Sequence, residues 1–98
     1  MRKDSREGTR EPLAAFVTVR ETGRSRNAAS IVNVSRGGCQ ISTVNRLVQG
    51  ERIWVKFPGF DSIEATVRWS EEFTAGVEFV RPLHPAMLDH LLARLREN

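Results

Sequence analysis

The feature that most limits what this chain can become is a two-residue hydrophobic alternation that stops and restarts about six times along its length. Leu13, Ala15, Val17 and Val19 open the pattern, and residues 28–34 form a second apolar and β-branched run. Cys39, Ile41 and Thr43 alternate next, then Ile53, Val55 and Phe57 opposite Trp54 and Lys56. Ile63, Ala65, Val67 and Trp69 share one face of a fifth run, and Ala75, Val77 and Phe79 alternate with Gly76, Glu78 and Val80 in the last. A period of two places one side-chain set on each face of an extended strand. Turn chemistry separates the runs: the polar stretch 21–27, Arg36-Gly37-Gly38, Val48-Gln49-Gly50, Pro58-Gly59 and Glu71-Glu72. Short strands at regular spacing predict a small antiparallel barrel or sandwich, and closing the barrel removes exposed sheet edges.

The period changes after Pro82. Leu88, Leu91, Leu92 and Leu95 fall at helical spacing behind Pro85, which suits a first helical position, and Arg94 and Arg96 close the segment where the helix dipole favours positive charge. The pattern predicts an all-β barrel with one C-terminal α-helix over about residues 83–96, its leucines turned onto the barrel. Residues 1–12 are polar, lack either periodicity and are expected to be a flexible lead-in. Residues 13–98 are expected to form the domain.

At 98 residues the chain has room for one hydrophobic core. No run approaches the ~18 apolar residues of a membrane span, and no apolar block follows the charged N-terminus as in a secretory signal, so the expected location is the cytoplasm. Cys39 is the single cysteine, which excludes an internal disulfide and any multi-thiolate metal site; in its strand it is expected to be a buried hydrophobe. The net charge of +3 lies wholly in residues 1–26, which hold seven basic side chains against four acidic ones, while the rest of the chain balances. Such a field suggests an anionic partner, although on charge alone a solubilising tail with a solvated loop is the more economical reading.

Two short motifs carry residue types suited to a phosphate-bearing purine ligand. The first is R-x-x-x-R at Arg6 and Arg10, and the second is N-x-S-x-x-G at Asn33, Ser35 and Gly38. A guanidinium can stack on a base, worth ~0.5–2 kcal/mol, and its fork donates in parallel to guanine O6 and N7 or to phosphate. Asn33 can donate and accept along a base edge, and Ser35 offers a hydroxyl. Each motif alone is weak. Two arginines four apart are usually a solvated face, and N-x-S before two glycines is usually a turn.

Together, in this order and on this strand pattern, the motifs resemble the PilZ family. Gly76-Val77-Glu78-Phe79 is similar to the G-V-x-F run of that family's last barrel strand, and Ala65, Val67 and Trp69 are similar to the strand before it. The resemblance implies a six-stranded antiparallel split barrel with a C-terminal helix that binds cyclic di-GMP at its surface. It implies that Arg6 and Arg10 close over the nucleotide, that Asn33 and Ser35 hold a guanine and a phosphate, and that Gly38 keeps the surface clear. Arg36 is added as a further phosphate contact on its charge. The implied function is a bacterial second-messenger receptor that signals to a protein partner, with a nucleotide-independent adaptor as the alternative.

No cofactor is expected. His84 and His90 lack a third ligand at suitable spacing, so no metal site is expected, and no Ser–His–Asp or Cys–His pattern points to an enzyme. Without tyrosine, and with most phenylalanines on core-like faces, the chain lacks the aromatic platform of a single-stranded DNA or RNA binder. Trp69 is expected in the core with Ala65 and Val67. Trp54 is expected either against the helix or in contact with a partner.

Overall fold

The computed structural model describes residues 11–23 and 26–96. Six strands, β1 (Glu11–Glu21), β2 (Arg26–Val34), β3 (Gly38–Thr43), β4 (Arg52–Lys56), β5 (Ile63–Glu71) and β6 (Thr74–Phe79), precede one helix, α1 (Pro85–Arg96). The strands close into an antiparallel barrel in the order β1, β2, β3, β6, β5, β4. The alternation predicted from sequence is what fills it. Ile53, Val55 and Phe57 are fully buried, and Ile31, Ile41, Ala65, Val67 and Ala75 join them. Trp54 and Lys56, on the opposite face of β4, are half-buried on the outside. The turns fall where Gly and Pro mark them. Gly23, Gly50 and Gly59 have positive φ, and Glu72 takes φ 53° in the two-residue connection between β5 and β6.

The helix closes one end of the barrel. His84 caps it: its Nδ1 accepts the Ala86 N–H at 3.0 Å and its carbonyl accepts the Leu88 N–H at 3.0 Å. The first bond satisfies one of the donors a helix start leaves open, and the second begins the helical ladder. Pro85 occupies the first helical position, where it has no N–H to lose. Leu91, Leu92 and Leu95 are buried in the barrel core, with Met87, Leu88, Phe60 and Ile63 packed at the margin. His90 meets Phe60 edge-on at 5.3 Å between ring centroids, and the Arg94 guanidinium covers Gly59.

Cys39 is buried, as its strand pattern predicts, and burial pushes its thiol up from 9.0 to about 12. At pH 8 a negligible fraction is thiolate, so a maleimide or disulfide reagent is expected to label Cys39 only under denaturing conditions. The folded state holds this proton more tightly than the unfolded chain does. The thiol's contribution to stability is therefore complete below pH 9.0 and is lost as pH rises toward about 12. Chemical denaturation monitored between pH 8 and 11 should show stability falling over that window, and Cys39→Ala should flatten the fall.

Candidate functional site

Two β-bulges decide which side chains reach the surface on the wall formed by β2, β3, β6 and β5. In β2, Ile31 pairs with Ile41 but Asn33 pairs with Gln40, so two residues of β2 advance against one of β3. Unbroken alternation would carry Asn33 inward with Ile31. The extra residue re-aims it: Ile31 and Val34 are both buried, and Asn33 faces outward and is half-buried. β5 repeats the device, with Val67 opposite Val77 but Trp69 opposite Gly76.

Trp69 therefore leaves the face of Ala65 and Val67. The expectation that it belongs to the core is wrong; the indole is 40% exposed. The register of the four strands then sets Asn33, Gln40, Gly76 and Trp69 in one cross-strand row. Asn33 Nδ2 donates to Gln40 Oε1 at 3.1 Å. Gly76 is what lets the indole approach, since a Cβ there would collide with Trp69 Nε1. A glycine inside a strand often marks such a close approach, and Gly76 is the sequence signal that could have placed Trp69 outside.

Beside this row lies a cleft of about 320 Å³, lined in part by Ser35, Gly38, Gln40, Trp69 and Glu78. Its size is at the lower end of small-molecule sites. A more open hollow of about 680 Å³ continues past Gln40 and Trp69 to Glu71 and Glu72. Arg68 and Glu78 form an ion pair at 3.2 Å on the rim of the cleft, with both side chains more than half exposed. An exposed pair of this kind is held by well under a kilocalorie, so Arg68 can turn to an incoming anion at little cost.

The 35–38 turn forms one wall. The Ser35 N–H donates to the Gly38 carbonyl at 2.8 Å, and the Ser35 hydroxyl reaches the same oxygen at 3.4 Å. That side-chain bond is long, which leaves the hydroxyl available to a ligand. Arg36 does not line the cleft. Its Nε donates to the Leu83 carbonyl at 2.7 Å, and its own carbonyl accepts the Leu83 N–H at 2.8 Å. Arg36 thus ties the turn to the segment that leads into α1. Gly38 has a steric duty of its own, because a Cβ there would overlap the Val77 carbonyl of β6 and stand 3.1 Å from Glu78 Cα. Gly37, its neighbour, faces open space.

Of the residues singled out from sequence, Ser35 and Gly38 line the cleft, and Asn33 touches it through Gln40. Arg6 and Arg10 lie outside the described residues. β1 begins at Glu11, opposite Val34, so the chain reaches the barrel next to the 35–38 turn. Among the described residues no three His, Cys, Asp or Glu side chains are grouped to hold a metal ion, and no helix is long and apolar enough to cross a membrane.

The family model of the PilZ domain matches residues 2–97. The chain belongs to the PilZ family. The match spans both motifs, all six strands and the helix. PilZ domains are receptors for cyclic di-GMP, and in this PilZ domain Ser35 and Gly38 of the N-x-S-x-x-G run line the surface cleft. The search of curated proteins finds no match.

Proposed function

We propose that this PilZ domain is a cyclic di-GMP receptor that draws its arginine-bearing N-terminal segment over the nucleotide and presents the ordered surface to a partner protein, without doing chemistry itself. The observation that carries this reading is the outward row of Asn33, Gln40 and Trp69 beside the 35–38 turn. It offers an amide edge, a hydroxyl and an exposed indole around one cleft, which are the groups a guanine and its phosphate need. Asn33 and Gln40 would read the base edge, Ser35 would take a phosphate oxygen, and the exposed side of Trp69 would stack. Arg10 is one bond from Glu11 and therefore within reach of this wall. The 320 Å³ cleft holds part of a dinucleotide, and Arg6 and Arg10 would cover the rest. Closure of that segment on the ligand would supply the differential contact that a signalling state requires.

Calorimetric titration with cyclic di-GMP, with GTP and cyclic di-AMP as controls, tests the reading. Saturable, selective binding near micromolar affinity, ~−8 kcal/mol, is expected. Trp69→Ala should weaken it roughly tenfold to a hundredfold, since one base stack contributes ~1–3 kcal/mol. The absence of both heat and a thermal shift with cyclic di-GMP would reject the receptor and leave the adaptor.

A further inference from the structure

The side of the barrel remote from the cleft is basic and carries an aromatic anchor. The cleft lies on β3, β6 and β5; in the closed order, β1 with its neighbours β2 and β4 forms the opposite wall. The register sets Arg26, Arg20 and Trp54 in one row across β2, β1 and β4, with Lys56 in the next row opposite Thr18. These side chains alternate with the buried Val17, Val19, Ile53 and Val55, so they face outward. Phe16, on the same face of β1, is 70% exposed.

Two features of this wall are unfavourable in the isolated domain. Arg20 and Arg26 are direct cross-strand partners, and like charges in that position repel. Among the described residues no carboxylate forms an ion pair with Arg20, Arg26 or Lys56. Glu64, opposite Trp54 on β5, is already paired with Arg52. The Arg20 guanidinium lies 4.4 Å from the Trp54 ring centroid, which holds its fork in a fixed position. A stacked, pre-positioned arginine beside a tryptophan is the composition found at the centres of protein interfaces.

We infer that this β2–β1–β4 wall docks an acidic segment of a partner protein, its carboxylates on Arg20, Arg26 and Lys56 and an apolar side chain against Phe16 and Trp54. A nucleic acid is less well served, because Arg20 already covers one side of the indole and no Tyr is present to add a stacking platform. A membrane surface would find a single strongly exposed aromatic on this wall and little apolar area to insert. The wall lies away from the cleft, so the same domain can engage nucleotide and partner together.

The test uses the full chain, without nucleotide, in ¹⁵N NMR titrations, so it does not depend on the receptor reading. The probes are a twelve-residue Asp/Glu-rich peptide with a central Phe, the same peptide with Lys for each acid, oligothymidylate, and phosphatidylglycerol vesicles. The acidic peptide is expected to shift the amides of Arg20, Arg26 and Lys56 and the Trp54 indole N–H while leaving the Trp69 indole in place. Arg26→Glu should lower its affinity at least tenfold and yet raise the thermal midpoint, because it converts a repulsive cross-strand pair into an attractive one. Shifts confined to residues before Glu11 or to Trp69, unchanged affinity in Arg26→Glu, or stronger shifts of the same signals by oligothymidylate or vesicles would overturn the inference.

Discussion

Arg10→Ala is expected to lower the affinity for cyclic di-GMP about a hundredfold while leaving the thermal midpoint nearly unchanged. The side chain is proposed to contribute a stack on a base, ~0.5–2 kcal/mol, and at least one charge-assisted hydrogen bond, ~1.5–3 kcal/mol. Together these come to about 3 kcal/mol, or two decades in the dissociation constant. Stability should hardly move, since among the described residues the core runs from Val17 to Leu95 and Arg10 precedes it. Calorimetry on the variant beside the wild type, with melting curves on both, separates the two effects. Normal binding by Arg10→Ala would remove the arginine clamp. A collapsed midpoint would mean that the residue is structural. Arg6→Ala, measured in parallel, shows whether the two arginines act as a unit, in which case the double variant loses no more than either single one.

Gly38→Ala is expected to destabilise the barrel itself, by about 3 kcal/mol on the scale of overpacked sites where backbone must move. The added methyl would sit on the Val77 carbonyl and within 3.1 Å of Glu78 Cα, and both obstacles are main chain of β6 that no rotamer can clear. β3 and β6 would have to part along the pairing that begins with Gly38 and Glu78. For a domain of this length each kilocalorie is worth roughly 4–8 °C in Tm, so the midpoint should fall by on the order of 10–25 °C. Gly37→Ala is the control, since its methyl would point into open space and should leave the midpoint within a few degrees. If Gly38→Ala melts like the wild type and only nucleotide binding is lost, then the glycine serves the ligand, as its place in the signature motif implies. If the barrel melts early, the glycine serves the fold first.

Much of the architecture was legible from side-chain period. Ile53, Val55 and Phe57 against Trp54 and Lys56, and the leucine stripe behind Pro85, assign faces that the structure keeps. The candidate site was legible in part. Ser35 and Gly38 were named from their motif and line the cleft. Arg36 enters the motif on its charge alone, and its Nε is bonded to the Leu83 carbonyl, 47 positions along the chain. Gln40 belongs to neither motif, and only its register opposite Asn33 and Gly76 places it in the row. Ala65, Val67 and Trp69 alternate without a break in sequence, which by pattern alone puts Trp69 in the core.

The sequence by itself determined that this chain is a run of short strands closed by a helix, that its core is the inward half of each strand, and that it carries the PilZ signature. The strands, the helix and the core follow from local rules, because a period of two or 3.6 and a glycine or proline at a turn act within a few residues; the signature is a resemblance carried by its motif residues. Tertiary structure alone decided that β3 lies beside β6 and β1 beside β4, and that Asn33 and Trp69 face outward in one row. A bulge is a mismatch in count between two paired strands, so it exists only once the partner and its register are set. Both residues owe their direction to such a mismatch, and so the wall of the site was fixed by pairing between distant segments rather than by the pattern within any one of them.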